Sequence, residues 1–119
     1  MADLVIDITV GETPLSAVVS AEAGRVRVAL RGEIDRLTGP ALADLLCTTL
    51  DDGISLVEVQ MADVAFVDLE GVRILVQAHA YGAKRGIPLT LRQPASEVCW
   101  LLELNGADHL LPSEEDDAA

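Results

Sequence analysis

The stretch Phe66-Val67-Asp68-Leu69-Glu70-Gly71-Val72-Arg73-Ile74-Leu75 decides how this chain is read. An apolar, extended piece gives way at Asp68 to a helical pattern. Asp suits that boundary, because its carboxylate accepts backbone N–H groups that a helix start leaves without partners. The spacing predicts a helix from Asp68 through about Lys84, closed by Gly86. Its apolar positions, Leu69, Val72, Ile74, Leu75, Val76 and Ala78, cover most of the circumference, so this helix is expected to pack on more than one side.

Upstream, Met61 to Val67 reads as loop with a short extended piece. Ile54 to Val59 reads as a short strand without strict alternation, expected to be covered on both faces. Downstream, Ile87 to Leu91 forms another strand, and Pro94 to Leu104 a helix with Val98, Leu101, Leu102 and also Trp100 as inward candidates. Asn105-Gly106 caps it, and Leu110 and Leu111 would close a last short element.

Nearer the N-terminus, Leu15 to Ser20 and Arg25 to Leu30 are rich in β-branched residues, with a turn at Glu22-Ala23-Gly24. Val26, Val28 and Leu30 share one strand face, and Arg25, Arg27 and Arg31 the other, the pattern of a half-buried antiparallel pair. The loop Gly32-Glu33-Ile34-Asp35 leads to Thr38-Gly39-Pro40. There Thr38 or Gly39 can cap a helix and Pro40 suits its first turn. Leu42, Leu45, Leu46, Thr49 and Leu50 follow at one-faced helical spacing, ending near Asp52-Gly53. Leu4 to Val10 alternates only loosely. Residues 1–14 are therefore an N-terminal arm or an edge strand, and an edge strand would permit a homodimer by strand addition. Residues 15–112 form one domain, and 113–119 an acidic tail expected to be disordered.

Composition narrows the function. The 119 residues hold 8 Lys+Arg against 20 Asp+Glu, a net charge of −12. Such a surface repels phosphate backbones and anionic headgroups, so direct nucleic-acid binding is not expected. No apolar run approaches the roughly 20 residues that span a bilayer, and neither a basic leader nor an apolar signal core opens the sequence. The expectation is a cytoplasmic protein without membrane insertion. With Phe66, Tyr81 and Trp100 as its only aromatic side chains, the core must consist of Val, Leu, Ile and Ala.

Catalytic signals are sparse. His79 and His109 lack a His or Cys at i+3 or i+4, so no metal pair is expected. No glycine-rich phosphate loop and no G-x-S-x-G elbow occurs. Cys47 and Cys99 lie in apolar-periodic stretches and read as buried reduced thiols, with a redox-switched disulfide as the alternative. The expectation is a non-enzyme with no cofactor and no metal.

The stretch from Phe66 to Leu75 resembles the signature of STAS domains, which in anti-sigma factor antagonists reads as apolar, Asp, Ser, Ser or Thr, Gly, then an apolar helix. Leu30-Arg31-Gly32-Glu33-Ile34-Asp35 followed by Thr38 resembles the family's other marker, a strand ending in Gly-Glu-Leu/Ile-Asp. Gly86 to Leu91, then Pro94 to Leu104 and Gly106, are similar to its closing strand and Leu-rich helix. The resemblance covers about residues 16–112. It implies an α/β STAS fold, a mixed β-sheet of four to six strands with three or four α-helices packed mainly on one face.

It also implies a function. Members bind an anti-sigma factor that is a Ser/Thr kinase, and phosphorylation of the Ser after the motif's Asp ends that binding. A phosphate there adds about −1.5 to −2 charges at a helix N-terminus on the surface the partner covers. This sequence has Leu69 at the acceptor position, so the usual switch is absent. Carried over by the resemblance, the partner-binding residues are Glu33, Asp35, Thr38, Asp68, Leu69, Glu70, Val72 and Arg73. Five of these also have a plainer reading. Asp68 is a cap, Glu33 and Asp35 belong to a solvated loop, Leu69 is core if it turns inward, and Glu70 either stabilises the helix end or imitates a phosphate. The leading expectation is an anti-sigma factor antagonist-like regulator that cannot be phosphorylated. The alternative is a non-catalytic scaffold or accessory STAS subunit of a signalling or transport complex.

Overall fold

The computed structural model describes residues 3–112. Among the described residues, five strands form one sheet in chain order: β1 (Leu4–Asp7), β2 (Leu15–Glu22), β3 (Arg25–Ile34), β4 (Leu56–Val67) and β5 (Leu89–Arg92). The β1/β2 and β2/β3 pairs are antiparallel, and β3/β4 and β4/β5 are parallel. Parallel neighbours need crossovers, supplied here by α1 (Gly39–Thr49) and α2 (Leu69–Lys84). After β5 come α3 (Ser96–Leu104) and a 3-10 turn at Asp108–Leu110.

Side-chain alternation sends the helices to one face. Leu15 and Ala17 of β2, Val26, Val28 and Leu30 of β3, Val57, Val59 and Met61 of β4, and Leu89 and Leu91 of β5 are buried. They share one core with Leu42 and Leu46 of α1, Leu50 just after it, Val72, Leu75 and Ala78 of α2, Val98 and Leu102 of α3, and Leu110. The other sheet face is open, with Val5 and Val18 exposed beside charged residues. There Glu58 lies 2.9 Å from Arg92 and 3.9 Å from Arg25. Helix α2 touches α1, α3 and the sheet, in keeping with its wide apolar circumference.

Several expectations are corrected. The segment Met61 to Val67 is strand, not loop, because β4 pairs with β3 up to Ile34↔Val67. Strand β4 alternates strictly between buried and half-buried residues over Leu56 to Met61, so only one of its faces is covered. Gly32, Glu33 and Ile34 are strand rather than loop: they continue β3 alongside β4, which accommodates an extra residue opposite Ala29–Arg31 and another opposite Gly32–Glu33. Gly32 has φ +124°, and a Cβ there would stand 2.2 Å from the Pro14 carbonyl oxygen, so only glycine fits the bend. Trp100 faces water. Cys47 and Cys99 are free and half-buried rather than buried. At the N-terminus, Leu4–Asp7 is an edge strand on β2, while the acidic segment 113–119 lies outside the described residues.

Candidate partner-binding surface

The C-terminal ends of β3 and β4 lie side by side, with Glu33 paired to Phe66 and Ile34 to Val67. The turns that leave them, residues 35–38 and 68–70, therefore emerge at the same end of the sheet. Two of the sequence markers meet there.

The first turn is tied by Asp35 and Thr38. One carboxylate oxygen of Asp35 accepts the N–H groups of Leu37 at 2.8 Å and Thr38 at 3.1 Å, and the other accepts the Thr13 hydroxyl at 3.3 Å. Chiefly through the Thr38 backbone N–H, these bonds hold the Asp35 carboxyl below its ordinary range against a smaller opposing effect of burial. The Thr38 hydroxyl donates to the Glu33 carbonyl at 2.9 Å and accepts the Asp35 N–H at 3.1 Å. Thr38 stands at the N-cap position of α1 but makes no side-chain cap bond, since its hydroxyl is spent on the turn. Its side chain is wholly buried.

The second turn starts α2. Asp68 is extended and its Oδ1 accepts the Gly71 N–H at 2.8 Å, the capping bond expected of it. Its own N–H donates to the Ile34 carbonyl at 3.2 Å, which fastens the helix start to β3. Gly71 lets the helix sit that close. A Cβ there would come within 2.8 Å of both the Ile34 carbonyl oxygen and Val67 Cγ1. Asp and Gly at this spacing are thus explained by backbone geometry alone.

Between these fixed points, apolar side chains stand in water. Leu69 is 62% exposed, Phe66 50% and Leu37 45%. Leu69 therefore does not turn inward. Glu70 forms an i,i+3 ion pair with Arg73 at 3.6 Å, both exposed enough to be seen by a partner. Val72 is buried in the core, so neither it nor Thr38 offers a side chain to a partner. Glu33 is half-buried. Sequence reasoning missed Phe66 and Leu37 as surface residues. The burial pattern from Met61 to Val67 runs buried, exposed, exposed, and period-two alternation cannot find Phe66 in it.

The two histidines meet away from this end. His79 Nδ1 lies 3.1 Å from the Leu89 carbonyl, which requires that nitrogen to donate, and its ring meets His109 edge-to-face at 5.0 Å. They pin the 3-10 turn to α2.

The strand order, the one-sided helices and the capped helix after β4 define the STAS class of α/β domain. A profile of the family described as "Mlab, STAS domain" matches residues 17–112, and the chain belongs to that family. Among solved structures, an anti-sigma factor antagonist from Mycobacterium paratuberculosis is similar at 26% identity and TM-score 0.66, over 82% of this chain and 83% of that one. The anti-sigma factor antagonist SpoIIAA in its unphosphorylated form superposes with TM-score 0.70 at 15% identity, over 86% and 92% of the two chains. The phosphorylated Bacillus SpoIIAA gives 0.63 at 17% identity, over 86% and 96%. At that identity the SpoIIAA likeness establishes the fold alone. No curated protein sequence matches significantly. Among the described residues, no helix is long and apolar enough to cross a membrane.

Proposed function

We propose that this protein is an anti-sigma factor antagonist-like regulator and not an enzyme, which binds an anti-sigma factor or related Ser/Thr-kinase-type partner in the cytoplasm. Its contact surface comprises Glu33, Asp35, Leu37, Phe66, Leu69, Glu70 and Arg73, with Asp68 holding the helix start in place. The observation that carries this reading is Leu69. It is the first residue of a capped helix, in the motif's acceptor position, and it is largely exposed.

An apolar side chain at the centre of a contact gains by leaving water, and it cannot be turned off by a phosphate. Glu70 does not replace that charge, because it is single and is answered by Arg73 on its own helix. Binding is thus set by abundance or by a further protein, not by the partner's kinase activity. A complex assembled with the cognate anti-sigma kinase is expected to persist when ATP is added, with residues 66–72 unmodified. Release on ATP, or a phosphate in that segment, overturns the proposal.

The family match supports a second reading, an accessory or scaffold subunit of a signalling or transport complex. It uses the same surface. Its signature is a stable stoichiometric complex, indifferent to nucleotide, with a partner that is not an anti-sigma factor.

A further inference from the structure

We propose that the outer face of α3 is a second docking surface, made for a cationic amphipathic helix of a partner protein. Helix α3 buries Val98 and Leu102. At about 100° per residue, Trp100 and Leu104 then fall on the opposite side of the helix. They are 62% and 63% exposed. One turn apart, they form a continuous apolar ridge, and Trp100 also borders a shallow groove of about 440 Å³ lined by Ser96, Glu97 and Leu101. The ridge contributes nothing to the core, which α3 already reaches through its other face.

Charge selects the occupant. On the helical wheel Glu97 flanks the ridge on one side and Glu103 on the other, and residues 93–119 contain no Lys or Arg. A second copy of this chain would set Glu97 and Glu103 against their own equivalents, and an anionic lipid surface would meet the same repulsion. A helix with a Leu-type stripe between Lys or Arg residues answers both the ridge and its rim. This surface is on a different helix from the α2 start and does not depend on the function proposed for it. Holding two partners at once is the use it suggests.

Trp100 is the sole tryptophan and reports its own burial. The probe is a synthetic amphipathic helix of Leu and Lys, roughly 18 residues or five turns long, titrated into the full chain while tryptophan emission is followed. A blue shift is expected, and none with the peptide carrying Glu in place of Lys. The E97Q/E103Q variant should bind about fivefold more weakly. D51N/D52N, which removes the same charge elsewhere, should bind within about twofold of the wild type. By calorimetry, Trp100→Ala should weaken binding about tenfold. The proposal is overturned if the Lys peptide gives no shift, if both peptides shift emission equally, or if D51N/D52N weakens binding as much as E97Q/E103Q. It is also overturned if emission responds to phosphatidylglycerol vesicles but not to the peptide, or to protein concentration alone.

Discussion

The start of α2 and the outer face of α3 both hold large apolar side chains in water, Leu69 on one and Trp100 and Leu104 on the other. Beneath Leu69 the backbone is fixed on every side. Asp68 caps the helix, its N–H is bonded to β3, and at Gly71 there is no room for a side chain against the Ile34 carbonyl and Val67. Helix α3 instead has Ala95 as its N-cap residue, which is extended but has no side chain able to cap. A contact surface can therefore be rigid because the core requires its backbone, or simply carried on the far side of a helix the core uses. Rigidity at the first site lowers the ordering cost of binding there.

The largest expected difference follows from Gly71. Gly71→Val forces a side chain into the Ile34 carbonyl and should destabilise the fold by about 3 kcal/mol. Trp100→Ala should change stability by no more than about 0.5 kcal/mol. Urea unfolding of the two variants measures both. Equal losses would mean that α3 is built into the core as tightly as the start of α2.

A smaller contrast lies in the caps. Asp68→Ala should cost about 1 kcal/mol, whereas Ala95→Ser should gain about 0.5 kcal/mol by supplying the acceptor that α3 lacks. Thermal unfolding of the pair separates them. A neutral Asp68→Ala would show that the capping bond in the structure is not formed in solution.

The subtlest effect is in pH. The Asp35 carboxyl is held below its ordinary value, led by the Thr38 N–H bond, so its contribution is complete above the unfolded value of about 3.9. It fades as pH falls through the lower folded value. Wild type should therefore exceed Asp35→Asn in stability at pH 6, and the gap should close toward pH 3. A constant gap in urea unfolding across that range would contradict the assignment.

Much of this was legible in the sequence, where the residue that shapes the backbone also carries the pattern. Asp68 marks its turn and Val26, Val28 and Leu30 mark the core face of β3, whereas the Gly32-to-Asp35 marker reads as a loop that in the structure starts only at Asp35. What escaped had physical reasons. Opposite Ala29–Arg31 and again opposite Gly32–Glu33, β4 takes one residue more than β3, which breaks its period two, so alternation alone reads Met61 to Val67 as loop and does not place Phe66 on the surface. The side chains of Thr38 and Val72 share the motif's spacing but point inward, which a motif does not record. Trp100 reads as an inward candidate in the sequence, but Val98 and Leu102 already complete the buried face of α3.

The central claim rests on Leu69, and Leu69→Asp tests it most directly. An acidic residue is favoured in the first turn of a helix, so the variant should fold as well as wild type while losing the apolar contact. Tagged wild type and variant are used to capture partners from lysate of the protein's own cells, with ADP and with ATP, and the captured proteins are identified by mass spectrometry. The account predicts that wild type retains an anti-sigma-factor kinase in both nucleotides and that Leu69→Asp loses it about tenfold. Equal recovery by a folded Leu69→Asp variant would contradict it.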